Sequence, residues 1–273
     1  MTMSLLVYAC LSLSLAYTCN AFTTGAGSLR AERRVNFHRQ RGSTDDYVQS
    51  LKTTLLRIAA RTNRGEIASD SQVESALDIV TQLESMNPTY SGELEGSKTS
   101  IEGTWDLVFT DAQLFESSPV FMTIRELYGK NTEKVDQLFQ LHRAATNTGE
   151  IGSVQQVITT TELISKVSVR NGLIPGAPFS LRGEIVSTAD LTIIDRYSMK
   201  LSMRETSVKN SNIPFVGSML AVASLPVGQL LKTVTGNLPE CTLSTFYLDG
   251  DMRITRNKDD NVFVYLRDTT EST

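Results

Sequence analysis

The 273-residue chain has three cysteines, two histidines and one tryptophan. Cys10 and Cys19 lie near the N-terminus, so removal of that segment would leave Cys241 without a disulfide partner. No CxxC pair and no Cys/His cluster of zinc spacing is present, which excludes the usual structural metal modules. His142 has no Cys or His near it and reads as a surface or core histidine, not a ligand or base. A Gly-x-Ser-x-Gly nucleophile turn, a P-loop and a dinucleotide fingerprint are all missing; "GAGS" at 25–28 follows no strand. Nothing in the pattern demands a cofactor or a metal.

Charge is absent from two stretches. Residues 1–21 carry none, and none stands between Lys209 and Lys232. In the first, the run Leu5 to Tyr17 has the length of a signal-peptide h-region and is short for a membrane span. Cys19 and Ala21 suit the −3 and −1 positions of a cleavage site before Phe22. Residues 22–44 are rich in hydroxyls and hold five arginines against Glu32. That segment carries +4, so the remainder must carry −8 to give the whole-chain charge of −4. An acidic body argues against nucleic-acid binding, which rests on phosphate neutralisation, and against a polybasic membrane surface.

Two helices follow. Val48, Leu51, Leu55 and Ile58 recur at helical spacing, with Asp45 and Asp46 in the first turn, Arg57 and Arg61 in the last, and Gly65 as a stop. Val73, Ala76, Leu77, Val80 and Leu83 form a second stripe, which a Ser71/Glu74 capping box would open and Pro88 would close. The pair, residues 45–90, is expected to pack antiparallel against something else.

From Thr104 the period becomes two. Strands are expected over 104–110, 154–161, 163–170, 181–187, 189–194, 198–208, 242–248, 251–256 and 261–267, separated by turn signals such as Asn171-Gly172 and Asp249-Gly250. Such a meander over 101–268 favours closure, because a closed sheet has no exposed edge. The expected fold is mainly β, an antiparallel barrel with an N-terminal helical pair and helical insertions. About eight strands leave an interior filled by side chains or holding one small ligand. Residues 117–145 read as a helical insertion. Residues 210–239 are broken by Pro214, Gly217, Pro226 and Gly228 and read as a lid or mouth loop that could touch a membrane, not a span.

"GTWDLVFT" opens the strand region with the lone tryptophan. Gly-x-Trp at a first strand resembles the leading motif of lipocalin-like barrels, where the Trp closes one end. The segments "LLRIAARTNRGEIAS", "LESMNPT", "IEGTWDLVFTD", "SSPVFMTIREL", "IGSVQQVI" and "STFYLDGDMRITRNKDDNVFVYLR" together resemble the plastid lipid-associated protein family, or plastid fibrillins, over residues 46–267. The leader reads the same way: "NAFTT" at the junction resembles the bipartite signal-plus-transit leader of complex plastids, residues 1–21 then 22–44. A simple secreted protein with a basic start is the other reading of that leader.

The resemblance implies a non-catalytic plastid protein that binds hydrophobic lipids, prenylquinones or carotenoids, at thylakoids or plastoglobules. It also allows a docking partner of a prenylquinone-synthesis enzyme, with the helix pair as the docking face. An enzyme on a lipocalin-like barrel is the third class. It would need an Asp or Glu inside the cavity, and Asp251 is the residue to test.

Gly103, Trp105, Arg253 and Arg256 are the barrel-closing candidates. Arg253 or Arg256 could stack on Trp105, or be a solvated strand charge. Asp249 and Asp251 could pair as acid and base, but Asp-Gly-Asp is more simply a turn. Alternation nominates Trp105, Leu107, Phe109, Val157, Leu181, Ile185, Met199, Leu201, Met203, Phe246 and Val264 as lining a barrel interior. Core filling accounts for the same residues equally well.

Overall fold

A computed structural model describes residues 44–88, 101–128, 149–171, 181–210 and 239–269, with Gly228, Gln229, Lys232, Thr233 and Gly236 between the last two. The expected leader (1–44) lies outside the described residues but for Thr44, which opens the first helix, as do residues 129–148 and most of 210–239. Two helices, α1 (Thr44–Arg61) and α2 (Asp70–Ser85), precede the sheet. Strands β1 (Gly103–Thr110), β2 (Gly149–Ile158), β3 (Glu162–Asn171), β4 (Leu181–Ile193), β5 (Ser198–Lys209), β6 (Glu240–Leu248), β7 (Met252–Asn257) and β8 (Val262–Arg267) follow. They neighbour one another in chain order around a closed barrel, and antiparallel pairing of β8 with β1 closes it. A 3₁₀ turn (Leu114–Ser117) and helix α3 (Pro119–Tyr128) lie between β1 and β2.

Two sequence expectations change. Residues 181–187 and 189–194 form one strand, because the chain passes Thr188/Ala189 with a register shift against β5 and not a turn. The cap of α2 is Ser69, whose backbone N–H donates to Gln72 Oε1 at 2.9 Å, and not Ser71 with Glu74. Ser69 holds extended dihedrals, as an N-cap does.

The apolar residues form two main layers. One fills the barrel: Trp105, Leu107, Ile158, Leu163, Leu201 and Phe263 belong to it, as do Leu114 and Met122 from the segment after β1. The other lies between the helix pair and the barrel wall. There Leu55, Val80 and Leu83 meet Phe109, Tyr247, Ile254 and Val264. Strands β7 and β8 are therefore covered on both faces. Met252 and Ile254 face the helices, and Phe263 and Tyr265 face the interior. Strands buried on both sides lose the alternation of a half-exposed strand.

The helix pair is also tied by its connecting turn. Asn63, Arg64 and Gly65 all hold positive φ. Arg64 accepts from the Thr110 N–H at 3.0 Å and reaches β2, where Nη2 donates to Ile151 O at 2.7 Å and Nη1 to Gly152 O. At Gly65, φ is +99°, and a Cβ would stand 2.1 Å from Thr110 O. Both facts require glycine. Gly65→Ala is expected to destabilise the fold by about 2–4 kcal/mol. Urea unfolding followed by circular dichroism measures it, and an unchanged midpoint would show that the turn yields.

Candidate functional site

Strand register sorts the barrel interior into rows. Val154, Val167, Ile185 and Val208 are paired across β2 to β5. Ile158, Leu163, Ala189 and Met203 form a second apolar row in the same way. Between them run Gln156, Ser165, Ser187 and Thr206, all buried. The Ser187 and Thr206 hydroxyls lie 3.1 Å apart. The interior thus carries a polar belt between two apolar layers. Trp105 stands beside Gln156 in register and extends the belt into β1.

At this level the barrel is crossed by a cation. Arg253 on β7 is wholly buried, and its Nη2 donates to Gln156 Oε1 at 2.6 Å. Its guanidinium carbon lies 4.2 Å from the Tyr265 ring centre and 5.2 Å from that of Trp105. Both rings present electron-rich faces to a guanidinium. Trp105 is itself fixed by a bond from Nε1 to Ile101 O at 2.8 Å. Arg267, paired with Trp105 across β1 and β8, covers the same indole at 4.2 Å. It also donates to Gly250 O and Glu102 O, each at 2.8 Å. Gly103 holds φ +126°, and a Cβ there would lie 2.6 Å from Arg267 Nη1. Glycine ahead of the tryptophan thus makes room for the arginine that seals the end.

Of the two partners considered for Trp105, Arg253 is the one placed over it. Arg256 points outward, where it binds Glu84 on α2 at 2.8 and 3.0 Å and Asp260 at 2.8 Å. It clamps the helix pair and does not close the barrel. Arg267 was not singled out by the sequence; its signal is its position opposite Trp105 in the closing register.

Trp105, Leu107, Met199, Leu201 and Met203 lie in the interior cluster, with Ile185 packed against it. Leu181 begins β4, and its side chain lies outside the described residues. Four interior assignments are corrected. Phe109 faces the helix pair, because an irregularity after Leu107 turns Val108 and Phe109 to the same side. A similar shift between Thr245 and Tyr247 leaves Phe246 outside, 38% exposed and stacked on Tyr197. Val264 lies under the helices on a strand with two apolar faces. Val157 is half-buried on the outer face, since Gln156 takes the inner position.

Carboxylates fall elsewhere. Asp251 is exposed in the β6–β7 turn. Asp249 accepts from the backbone N–H groups of Asp251 at 3.0 Å and Met252 at 2.8 Å, which is the turn role. It also pairs with the buried Lys52 of α1 and accepts from the Tyr247 hydroxyl. Asp111 and Glu126 are pushed up, chiefly by burial, but each accepts a strand N–H, from Val262 and Thr242. Burial alone would raise Asp249; the Lys52 ammonium and the bonds from Tyr247, Asp251 and Met252 outweigh it and hold the carboxyl below its ordinary value. Among the described residues no group of three or more His, Cys, Asp and Glu could hold a metal ion.

A carboxyl held low in the fold adds stability above its unfolded value, and that stability is lost as pH falls through the depressed one. Asp249→Asn is expected to lose about 2–4 kcal/mol at pH 7, because Lys52 is left buried alone. Its stability should fall less steeply below about pH 4 than that of the parent. Urea unfolding at neutral and acid pH reads both effects, and parallel pH profiles would refute the pairing.

The sequence model of the PAP_fibrillin family matches residues 49–266. Comparison with curated proteins and with solved structures gave no significant match. The matched span takes in most of α1, all of α2 and almost the whole barrel, including the turn at Gly65, the Gly103–Trp105 entry and Arg253. The chain therefore belongs to the plastid lipid-associated protein, or fibrillin, family.

Proposed function

We propose that this protein binds a hydrophobic plastid lipid, a prenylquinone or carotenoid, inside its barrel at a thylakoid or plastoglobule surface, without catalysis. Family membership supports a plastid lipid-associated structural protein. The observation that carries the reading further is the interior itself, where two apolar rows flank a polar belt. Burial of an apolar molecule there would be driven by removal of its surface from water. The bipartite leader, with cleavage between Ala21 and Phe22, would deliver the chain to a complex plastid.

The charged residues buried among those described are Lys52, Glu116 and Arg253. Glu116 is paired with Arg125 at 2.9 Å, on the segment after β1. Thus no buried carboxylate among the described residues stands free to act as an interior acid or base. The reading of the helix pair as a docking face is weakened, because its apolar stripe is spent against the barrel. Large apolar side chains that remain exposed there are Tyr47 and Ile67. No helix among the described residues is long and apolar enough to cross a membrane.

Native mass spectrometry with lipid extraction, on protein purified from its own plastid source, tests the proposal. The expected result is one defined prenyl lipid near one per chain. Protein free of lipid that still partitions onto plastid lipid droplets would move function to the outer surface.

A further inference from the structure

We propose that the barrel interior recognises a carboxylate head on a single-chain lipid, with Arg253, Gln156 and Tyr265 as its donors. This rests on the reading that the barrel binds a lipid, and it gives that lipid a carboxylate head, which a prenylquinone or carotenoid lacks. Three charged residues are buried among those described, and two have a partner of opposite charge, Lys52 in Asp249 and Glu116 in Arg125. Arg253 has none. Its Nε and Nη1 have no hydrogen-bond partner, and neither do Gln156 Nε2 and the Tyr265 hydroxyl. Ser165, which stands beside Gln156 in register, has an unpartnered hydroxyl too.

The unused groups are mainly donors. Arg253 Nε and Nη1 carry three N–H bonds, and Gln156 Nε2 carries two. A carboxylate offers about four acceptor positions on two oxygens, and can pair bidentately with Nε or Nη1 together with the second N–H of Nη2 along one guanidinium edge. A quinone or ester carbonyl could accept some of these bonds but would leave the charge uncompensated. The aromatic rings of Trp105 and Tyr265 hold the cation without neutralising it. Burial lowers the Arg253 guanidinium to about 10, with Arg267 adding to the effect, and leaves it charged at neutral pH. Leaving a buried charge unpaired is costly, and an entering anion would relieve that cost. The apolar rows on either side of the belt suit the chain of the lipid.

The test uses the whole chain with hexadecanoate, its methyl ester, acetate and a decyl-plastoquinone, followed by the fluorescence of the lone Trp105 and by native mass spectrometry. Hexadecanoate should bind one per chain, about tenfold or more tightly than the ester. Acetate should bind far more weakly. Arg253→Gln should abolish the acid-over-ester preference. Tyr265→Phe, a milder change should the first variant not fold, should reduce it severalfold. Equal binding of acid, ester and quinone would overturn head recognition and leave the lipid reading standing. Acetate binding as tightly as hexadecanoate would overturn the lipid part of the proposal. A preference unchanged in Tyr265→Phe would place the head elsewhere and overturn the assignment. Binding of none of the probes would overturn this inference and the prenylquinone form of the reading beneath it.

Discussion

Strands β7 and β8 are buried on both faces, and each face needs its own cover. Inward, Phe263 and Tyr265 complete the barrel core. Outward, Met252, Ile254, Val262 and Val264 would form an exposed apolar wall without α1 and α2. The helix pair is therefore part of the fold's hydrophobic balance and not an appendage. Its attachments are polar and directional as well. Arg64 holds the turn to β2, Lys52 meets Asp249, and Arg256 meets Glu84. Apolar burial supplies the bulk of the attraction, and these bonds fix how the pair sits.

Inside the barrel the balance is different. The end at Trp105 is closed by side chains that stack instead of merely filling space. Arg267 covers the indole from the closing strand and ties it to Gly250 and Glu102. Arg253 reaches inward and meets Gln156. One residue type thus does two jobs. The partly exposed arginine seals, and the buried one polarises the interior. An apolar core with a row of hydroxyls and amides is less stable than a fully apolar one unless those groups find partners. Such a row suits recognition of part of a molecule better than plain packing does.

Much of the architecture was legible in the sequence. The two helical stripes, the change to period two at Thr104 and the turn at Asp249–Met252 all reflect local spacing. What escaped reading was parity. Near Leu107/Phe109 and Thr245/Tyr247 the register shifts, so residues spaced by two fall on opposite faces. Val264 was ambiguous because both faces of its strand are apolar. Val157 was misplaced for the opposite reason, since an apolar residue is outside and a glutamine inside. The polar belt has a weak sequence signal because Ser, Thr and Gln at alternate positions look like a solvent face. Only the closed register shows that they point inward. The sequence offered Arg253 and Arg256 alike as partners of Trp105, and the fold places Arg253 there, whereas Arg267 needed the β1–β8 pairing.

The surface on which the helix pair rests is assembled from β1, β6, β7 and β8. The last three follow one another closely in the chain, but β1 lies far ahead of them and meets β8 only when the ring closes, as in the pairing of Trp105 with Arg267. The helices precede every strand in the chain, and their seat is complete only when the ring is closed. Pairing of strands so distant in the chain is the slow class of folding event. The arrangement makes helix docking a report on barrel closure: a ring that has not joined its ends has no complete surface on which the pair can settle.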